Sequence, residues 1–347
     1  MTLPAPLARP AAPSLLSGSL IAALSLVLAS SPSLSSEGAR KPDNQQERPE
    51  QLVLISFDGA HDNRLWERSL GLGARTGAKF TYFLSCTFLI SKDARKSYKA
   101  PGRSAGRSNV GFAPDKADVL ARLAHIWDAH QSGHEIGSHG CGHFDGKGWS
   151  RKQWLDEFAQ FDAVLAQAWK NNGIEPPAGW AEFSTSAIKG FRAPYLSTGN
   201  GLFTALDAHG LRYDASTVSR GPAMPDTSRK VARFALPLIA EGPRQRPIIA
   251  MDYNLFVRHS GGLENPSKTK DFEERALAAF RAAFEAEHSG ERRPLQLGFH
   301  FVEMNGGAYW RALERFAGEV CGQPEVACVT YQEAIDRMAP SSSKPDS

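Results

Sequence analysis

Short apolar runs, rich in β-branched and aromatic residues, recur along the chain from residue 51 onwards. Runs of this kind are typical of buried parallel strands. They lie at 52–57, 80–85, 134–138, 188–195, 213–217, 248–254 and 295–301. Between them, apolar residues recur at spacings of three and four within 154–169, 276–284 and 309–320, which predicts amphipathic helices.

Alternation of strand and helix predicts βαβ units and therefore an α/β fold with a parallel sheet. With about seven such strands, a closed (β/α) barrel is favoured over an open doubly wound sheet. No linker interrupts residues 51–338, so we expect a single domain over this range.

The first 36 residues have the pattern of a secretory signal peptide. Arg9 precedes an apolar stretch at 15–29, and small residues follow it. The stretch is short for a membrane span, although an uncleaved anchor is the alternative. Residues 37–50 are polar and are predicted to be a linker, and 339–347 a disordered tail. We expect a secreted or periplasmic protein with no membrane span once the signal is removed.

Composition excludes several classes of protein. The chain has 347 residues, of which 41% are hydrophobic and 22% charged, which is typical of a globular protein and not of a disordered or fibrous one. Its net charge of +3, from 40 basic and 37 acidic residues, is too small to indicate a nucleic-acid partner. We expect a monomer.

Polar side chains follow the predicted strands at their C-terminal ends. In a parallel barrel the loops after these ends build the site, so polar residues there are candidate functional residues. They are Asp58, His139, His143, Arg192, Asp252 and His300.

Each of these candidates has two interpretations. His139 and His143 flank a glycine-rich turn that would let two imidazoles converge on one ion, or they are ordinary loop histidines. Asp58 is either a helix N-cap or the acidic partner that a buried Arg192 requires. His300, within an apolar run, is either a structural or a catalytic histidine.

Taken together, the motifs resemble the polysaccharide deacetylases with NodB homology, also called carbohydrate esterase family 4. The resemblance covers about residues 51–338. SFDGA at 56–60 resembles the family's first motif, HGCGH at 139–143 the second, and RAPY at 192–195 the third. The fourth and fifth motifs are looser and are placed at Asp252 and at 297–300.

This resemblance implies a distorted (β/α) barrel that removes acetyl groups from an N-acetylated or O-acetylated polysaccharide with the help of a divalent metal. Zinc is the expected ion, with cobalt or nickel as alternatives. The roles carried over are a general base, its orienting arginine, a general acid, the acidic residue that positions that acid, and two metal ligands. Asp58 would be the general base, oriented by Arg192, and His300 would be the general acid, positioned by Asp252. His139 and His143 would be the metal ligands.

The third motif would contact the substrate. By the same resemblance, Pro194 and Tyr195 are substrate-binding residues, and the backbone N–H of Tyr195 would face the oxyanion.

One position departs from the family pattern. The second aspartate of the first motif, a metal ligand in the family, is Gly59 here. Catalytic zinc sites normally use three protein ligands, and two bind the ion poorly. Asp62 is our hypothesis for the third ligand, with Asp145 and His61 as alternatives.

Four cysteines in an exported chain indicate two disulfides. Cys321 and Cys328 bracket a short turn and are expected to pair. Cys86 and Cys141 follow neighbouring predicted strands and are expected to form the second bridge, with metal binding by Cys141 as the alternative.

Two questions stay open at the level of sequence. A basic insertion between residues 92 and 107 is either a solvated loop or a clamp for an anionic glycan. Gly59 also allows two other functions, a catalytically degenerate glycan-binding protein or a hydrolase of another non-peptide C–N amide.

Overall fold

The computed structural model describes residues 48–339. The predicted signal peptide lies outside the described residues, as do most of the predicted linker and tail. No helix within this range combines the length and the hydropathy that a membrane-spanning helix requires.

The described residues form nine strands and nine helices in an order that alternates for most of the chain. The strands are β1 (Gln51–Gly59), β2 (Thr81–Leu84), β3 (Glu135–Ser138), β4 (Gly190–Phe191), β5 (Tyr213–Ser219), β6 (Ala232–Glu241), β7 (Arg246–Ile249), β8 (Leu295–His300) and β9 (Val326–Cys328). The helices are α1 (Asn63–Thr76), α2 (Lys116–Gln131), α3 (Arg151–Asn171), α4 (Trp180–Glu182), α5 (Asn200–His209), α6 (Asp252–Ser260), α7 (Thr269–Ser289), α8 (Met304–Val320) and α9 (Tyr331–Met338).

All strands belong to one sheet with the order β7-β6-β5-β4-β3-β2-β1-β8, and β9 pairs with β1. In this order, every neighbouring pair between β6 and β8 is parallel, for example β6 with β5 and β1 with β8. Strands β6 and β7 form an antiparallel hairpin at the end of the sheet. The segment after β7 joins the ends of the sheet, because the N–H of Ala250 donates to Pro237 of β6 and its carbonyl accepts from Gly298 of β8. The predicted distorted (β/α) barrel is therefore confirmed.

Three details of the prediction are wrong. The sheet is mixed instead of wholly parallel, and the apolar runs do not include β6 or β9. The run at 248–254 is not one strand, since β7 ends at Ile249 and α6 begins at Asp252. The segment bends here to close the barrel. The single apolar run therefore contains the end of β7, the residues that bond to β6 and β8, and the start of α6.

Strand register places the candidate residues at one edge of the barrel. Asp58 on β1 lies directly opposite His300 on the neighbouring β8. Ser138, which immediately precedes His139, lies opposite Phe191, which immediately precedes Arg192. The C-terminal ends of β1, β3, β4 and β8 therefore bring residues that are far apart in sequence to one place, as in other parallel barrels.

The expected disulfides are confirmed. Cys86 pairs with Cys141, and Cys321 pairs with Cys328. Because Cys141 is bridged, it is not available as a metal ligand.

Candidate active site

Asp58 and Arg192 form a buried ion pair at the centre of the barrel's C-terminal end. Nη1 of Arg192 donates to Oδ1 of Asp58 at 2.8 Å, and the side chains of Arg192 and Asp58 are 0% and 4% exposed. The guanidinium also donates to Ser56, to the Ala215 carbonyl and to the hydroxyl of Tyr331. The guanidinium thus makes four hydrogen bonds, and it fixes the orientation of the carboxylate.

The surroundings of Asp58 keep it ionised. Burial alone would raise the pKa of this carboxyl, but the charge of Arg192, together with His139 and His300, holds it below its usual value. Asp58 does not cap a helix, since Asp62 is the N-cap of α1. A buried carboxylate that is ionised and aimed at a cavity is suited to act as a base.

Asp252 and His300 form the second pair, in which the Asp252 side chain is buried and that of His300 is 28% exposed. Nδ1 of His300 lies 2.6 Å from Oδ1 of Asp252, and the backbone N–H of His300 donates to Oδ2 at 2.8 Å. Burial would lower the pKa of His300, but Asp252 and Asp58 raise it above its usual value. The imidazole is held by Nδ1, so Nε2 is the nitrogen left for the cavity that His300 lines with Asp58.

His139 and His143 lie side by side, with ring centroids 5.0 Å apart. Nδ1 of His139 lies 2.7 Å from the carbonyl of Arg192, which can only accept, so Nδ1 carries the proton and Nε2 has the free lone pair. Burial lowers the pKa of His139 to about 3 and also lowers that of His143. Both imidazoles are therefore neutral, which is the form that binds metals.

The described residues supply no third side-chain ligand beside these histidines. Within residues 48–339 no group of three His, Cys, Asp or Glu side chains is arranged to hold a metal ion. Gly59 has φ +85°, and a Cβ built on it would meet only a ring carbon of Phe88, at 3.9 Å. The two imidazoles alone do not fit a catalytic zinc site with three protein ligands.

Of the three candidates for the third metal ligand, Asp62 and Asp145 bond to other groups and only His61 lines the cavity of the two histidines. Asp62 caps α1 and is bonded to the backbone N–H and the guanidinium of Arg64, each at 2.8 Å. Asp145 accepts from the backbone N–H of Lys147 at 2.9 Å. The structure therefore does not bring either carboxylate together with the two histidines, whereas His61 lines the same cavity as they do.

Two residues that the sequence analysis missed hold the histidine turn in place. Oε1 of Glu157, on α3, accepts from the N–H of Cys141 at 2.8 Å. The hydroxyl of Tyr98 donates to Glu157 and accepts from the N–H of Gly142 at 3.1 Å. The sequence does contain a signal for Glu157, because it is an acidic residue on the apolar face of α3, between Trp154 and Phe158.

The third motif forms a strained turn beside the histidines. Tyr195 has φ 59° and Leu196 has φ 54°, a region that residues other than glycine rarely adopt. The turn's own hydrogen bonds are donated by Leu196 and Ser197, so the N–H of Tyr195 lies outside them. The ring of Tyr195 is exposed, and its centroid lies 4.6 Å from that of His143.

Two adjoining cavities meet at these groups. One, of about 190 Å³, is lined by Asp58, His139, His143 and His300 together with His61. The other, of about 480 Å³, shares the first four of those residues and continues along apolar side chains and Tyr195. Arg192 and Asp252 lie behind this surface, so the structure brings all the predicted catalytic residues and the two histidines together.

No protein-family model and no curated protein sequence matches the chain. Among solved structures it is similar to a candidate polysaccharide deacetylase from Mycobacterium smegmatis, with 16% identity, a TM-score of 0.51, and 86% of this chain and 91% of that chain covered. A second, from Pseudomonas aeruginosa, has 15% identity, a TM-score of 0.50, and coverage of 83% and 91%. The chain therefore has the fold of the polysaccharide deacetylases.

Proposed function

We propose that this chain is a hydrolase that removes acetyl groups from an N-acetylated or O-acetylated polysaccharide. The observation that carries the proposal is that two charged pairs, Asp58 with Arg192 and Asp252 with His300, end at one cavity. Arg192 keeps Asp58 ionised, and Asp252 favours the protonated form of His300. A base and an acid held in opposite protonation states, in register on neighbouring strands, are what amide or ester hydrolysis needs.

In the proposed reaction Asp58 takes a proton from water, and the water oxygen forms a bond to the acetyl carbonyl carbon. The backbone N–H of Tyr195 donates to the oxyanion of the tetrahedral intermediate. The C–N or C–O bond then breaks, and Nε2 of His300 gives its proton to the departing nitrogen or oxygen. The products are acetate and a free amine or hydroxyl on the glycan. Asp252 stabilises the imidazolium until the proton leaves.

His139 and His143 are the residues that would hold a divalent ion. When bound, such an ion acidifies water and polarises the carbonyl. Because the donor set is two imidazoles, we expect weak binding of zinc, cobalt or nickel, and no proton transfer described above passes through the ion.

The cellular location is part of the same proposal. Two disulfides and the predicted signal peptide support a secreted or periplasmic protein, because disulfides persist in oxidising compartments. An acetylated polysaccharide outside the cytoplasm is the partner that this location and the fold favour.

Acetate release tests the proposal. The substrates are N-acetylglucosamine oligomers, peptidoglycan fragments and O-acetylated xylan, each incubated with chelated protein with and without added Zn²⁺ or Co²⁺. We expect release from at least one substrate. If folded protein releases acetate from none of them, the proposal is wrong, and Gly59 would favour the second candidate, a glycan-binding protein without turnover.

A further inference from the structure

The segment between β2 and α2 has an unusual concentration of exposed positive charge. Between residues 92 and 107 there are six cations against the single acid Asp93, namely Lys92, Arg95, Lys96, Lys99, Arg103 and Arg107. Within residues 48–339 none of the six forms an ion pair. Arginines elsewhere do pair, for example Arg68 with Glu314 at 2.7 Å and Arg311 with Glu273 at 2.8 Å. The cations of this segment are therefore free for an external anion.

Two of these cations line a cleft of about 340 Å³, which we call the basic cleft. Its lining residues are Arg103, Arg107, Ser108, Asn109, Phe144, Asp145 and Tyr195. The guanidinium of Arg103 lies over the ring of Phe144, 5.3 Å from its centroid, which restricts its motion. The polar side chains of Ser108 and Asn109 lie beside the two arginines in the lining of the cleft.

The basic cleft is joined directly to the catalytic cavities. Tyr195 lines both the cleft and the larger cavity. Asn109 donates from its backbone N–H to the carbonyl of Gly142 at 2.8 Å and from its side chain to that of His143 at 3.1 Å. Tyr98, buried in the same segment, bonds to Glu157 and to the histidine turn. The cleft therefore has a fixed position beside the proposed reaction centre.

The anion that fits best has a single charge. Arginine forks bind planar carboxylates through two parallel hydrogen bonds. Asp145 lies at the same cleft, where its carboxylate accepts from the backbone N–H of Lys147 at 2.9 Å. A doubly charged phosphate would meet more repulsion from Asp145 than a carboxylate would.

We propose that the basic cleft binds the carboxylate of a sugar adjacent to the one that is deacetylated, so that the substrate is an acidic N-acetylated glycan. This inference rests on the proposed function. It explains why two arginines without an ion-pair partner among the described residues lie beside Tyr195 and the histidine turn.

The test compares two oligosaccharides of equal length. One alternates N-acetylglucosamine with glucuronic acid, and the other is a neutral N-acetylglucosamine oligomer. The variant R103Q/R107Q removes two charges from the basic cleft. The matched control K92Q/K96Q removes two charges from the same segment at residues that do not line the cleft.

We expect the wild type to prefer the acidic oligosaccharide in kcat/KM. In R103Q/R107Q the ratio of acidic to neutral kcat/KM should fall about tenfold, mainly through KM, and its dependence on salt should weaken. In K92Q/K96Q the ratio should stay within about twofold, since those charges act only at a distance. Equal preference for both oligosaccharides, or an equal loss in both variants, would overturn the inference.

Calorimetric titration separates this inference from the proposed function. Turnover without any preference for the acidic oligosaccharide would support the proposed hydrolase and contradict carboxylate binding by the basic cleft. Tight binding of the acidic oligosaccharide that is lost in R103Q/R107Q, with no acetate release, would support the cleft and contradict the hydrolase.

Discussion

The candidate active site has two halves that differ in how completely they are built. The acid–base half consists of two charged pairs, Asp58 with Arg192 and Asp252 with His300, in which every side chain except that of His300 is buried. The imidazole half consists of His139 and His143, which are neutral and have Gly59 where the family has a carboxylate. Buried charges are costly unless paired, so the first half is a strongly constrained arrangement. The second half has no such ionic constraint, and with two imidazoles as its only ligands we expect it to bind an ion weakly.

Because of this difference, the two halves should respond differently to substitution. Changes in the acid–base half should alter stability and the pH dependence of turnover. Changes in the imidazole half should alter metal affinity and leave the fold intact.

The largest effect is expected for R192M, which leaves Asp58 buried without its partner. Breaking a buried pair in this way should lower the free energy of unfolding by about 3–5 kcal/mol. R212M, which breaks the exposed pair of Arg212 with Asp336, should cost less than about 1 kcal/mol. Urea unfolding at neutral pH measures both. A similar loss of the free energy of unfolding in R192M and R212M would contradict the difference between the buried and the exposed pair.

The next largest effect is expected for D252N, which keeps the shape of the side chain and an acceptor for His300 but removes its charge. The pKa of His300 should fall, because the carboxylate that raises it is gone. The protonated acid is lost as pH rises through this pKa, so the alkaline limb of kcat/KM should move to lower pH. At a pH above the pKa of His300 in both proteins, activity should then fall about tenfold for every pH unit by which the limb has moved.

The acidic limb serves as an internal control for D252N. It is set by Asp58, whose pKa is held low mainly by Arg192 against burial, so it should move little. An alkaline limb that stays in place would show that His300 is not the acid.

In the imidazole half, G59D should raise the affinity for Zn²⁺ at least tenfold by adding a third ligand. There is room for a Cβ at residue 59, where it would meet only a ring carbon of Phe88 at 3.9 Å. Because φ is +85°, the substitution should also cost about 1 kcal/mol of stability. Competition with a chelating dye measures the affinity.

The matched control is G59N, which imposes the same backbone strain with a neutral side chain. Equal zinc affinities in G59D and G59N would show that a carboxylate at this position does not complete the site.

The smallest effect is expected for E157Q. Glu157 accepts from the N–H of Cys141 and from Tyr98, and burial raises its pKa. The amide keeps one acceptor, so kcat/KM should fall about two- to fivefold. D156N, on the exposed side of the same helix, should leave turnover unchanged. Loss of turnover in D156N alone would contradict a positioning role for Glu157.

The barrel and the residues at its C-terminal edge could be predicted from sequence alone, because buried parallel strands are continuous apolar runs that end at polar residues. Strand β6 could not, since it buries residues in partial alternation and contains Pro237. Strand β9 has only three residues. Proline within an apolar run argues against a central strand, and three residues are too few to show a periodic pattern.

The cysteine bridges could be predicted, but other contacts between distant segments could not. Tyr98 and Glu157 are 59 positions apart and meet only because the segment after β2 packs against α3. For Asp62 the local contacts were the difficulty, because an aspartate at this position can be either a metal ligand or a helix N-cap. In the structure its carboxylate accepts hydrogen bonds from Arg64. The local hydrogen bonds of the first turn decide where that carboxylate lies.

The role of Asp58 as the base is best tested by acetate release from the wild type and from D58N, at equal concentrations of folded protein with added Zn²⁺. Asparagine keeps the size of the side chain and an acceptor for Arg192 but cannot take a proton from water. We expect release by the wild type and a rate about 10²- to 10⁴-fold lower in D58N. Equal rates in the two proteins, or no release by folded wild type from any acetylated glycan, would contradict the proposed hydrolysis.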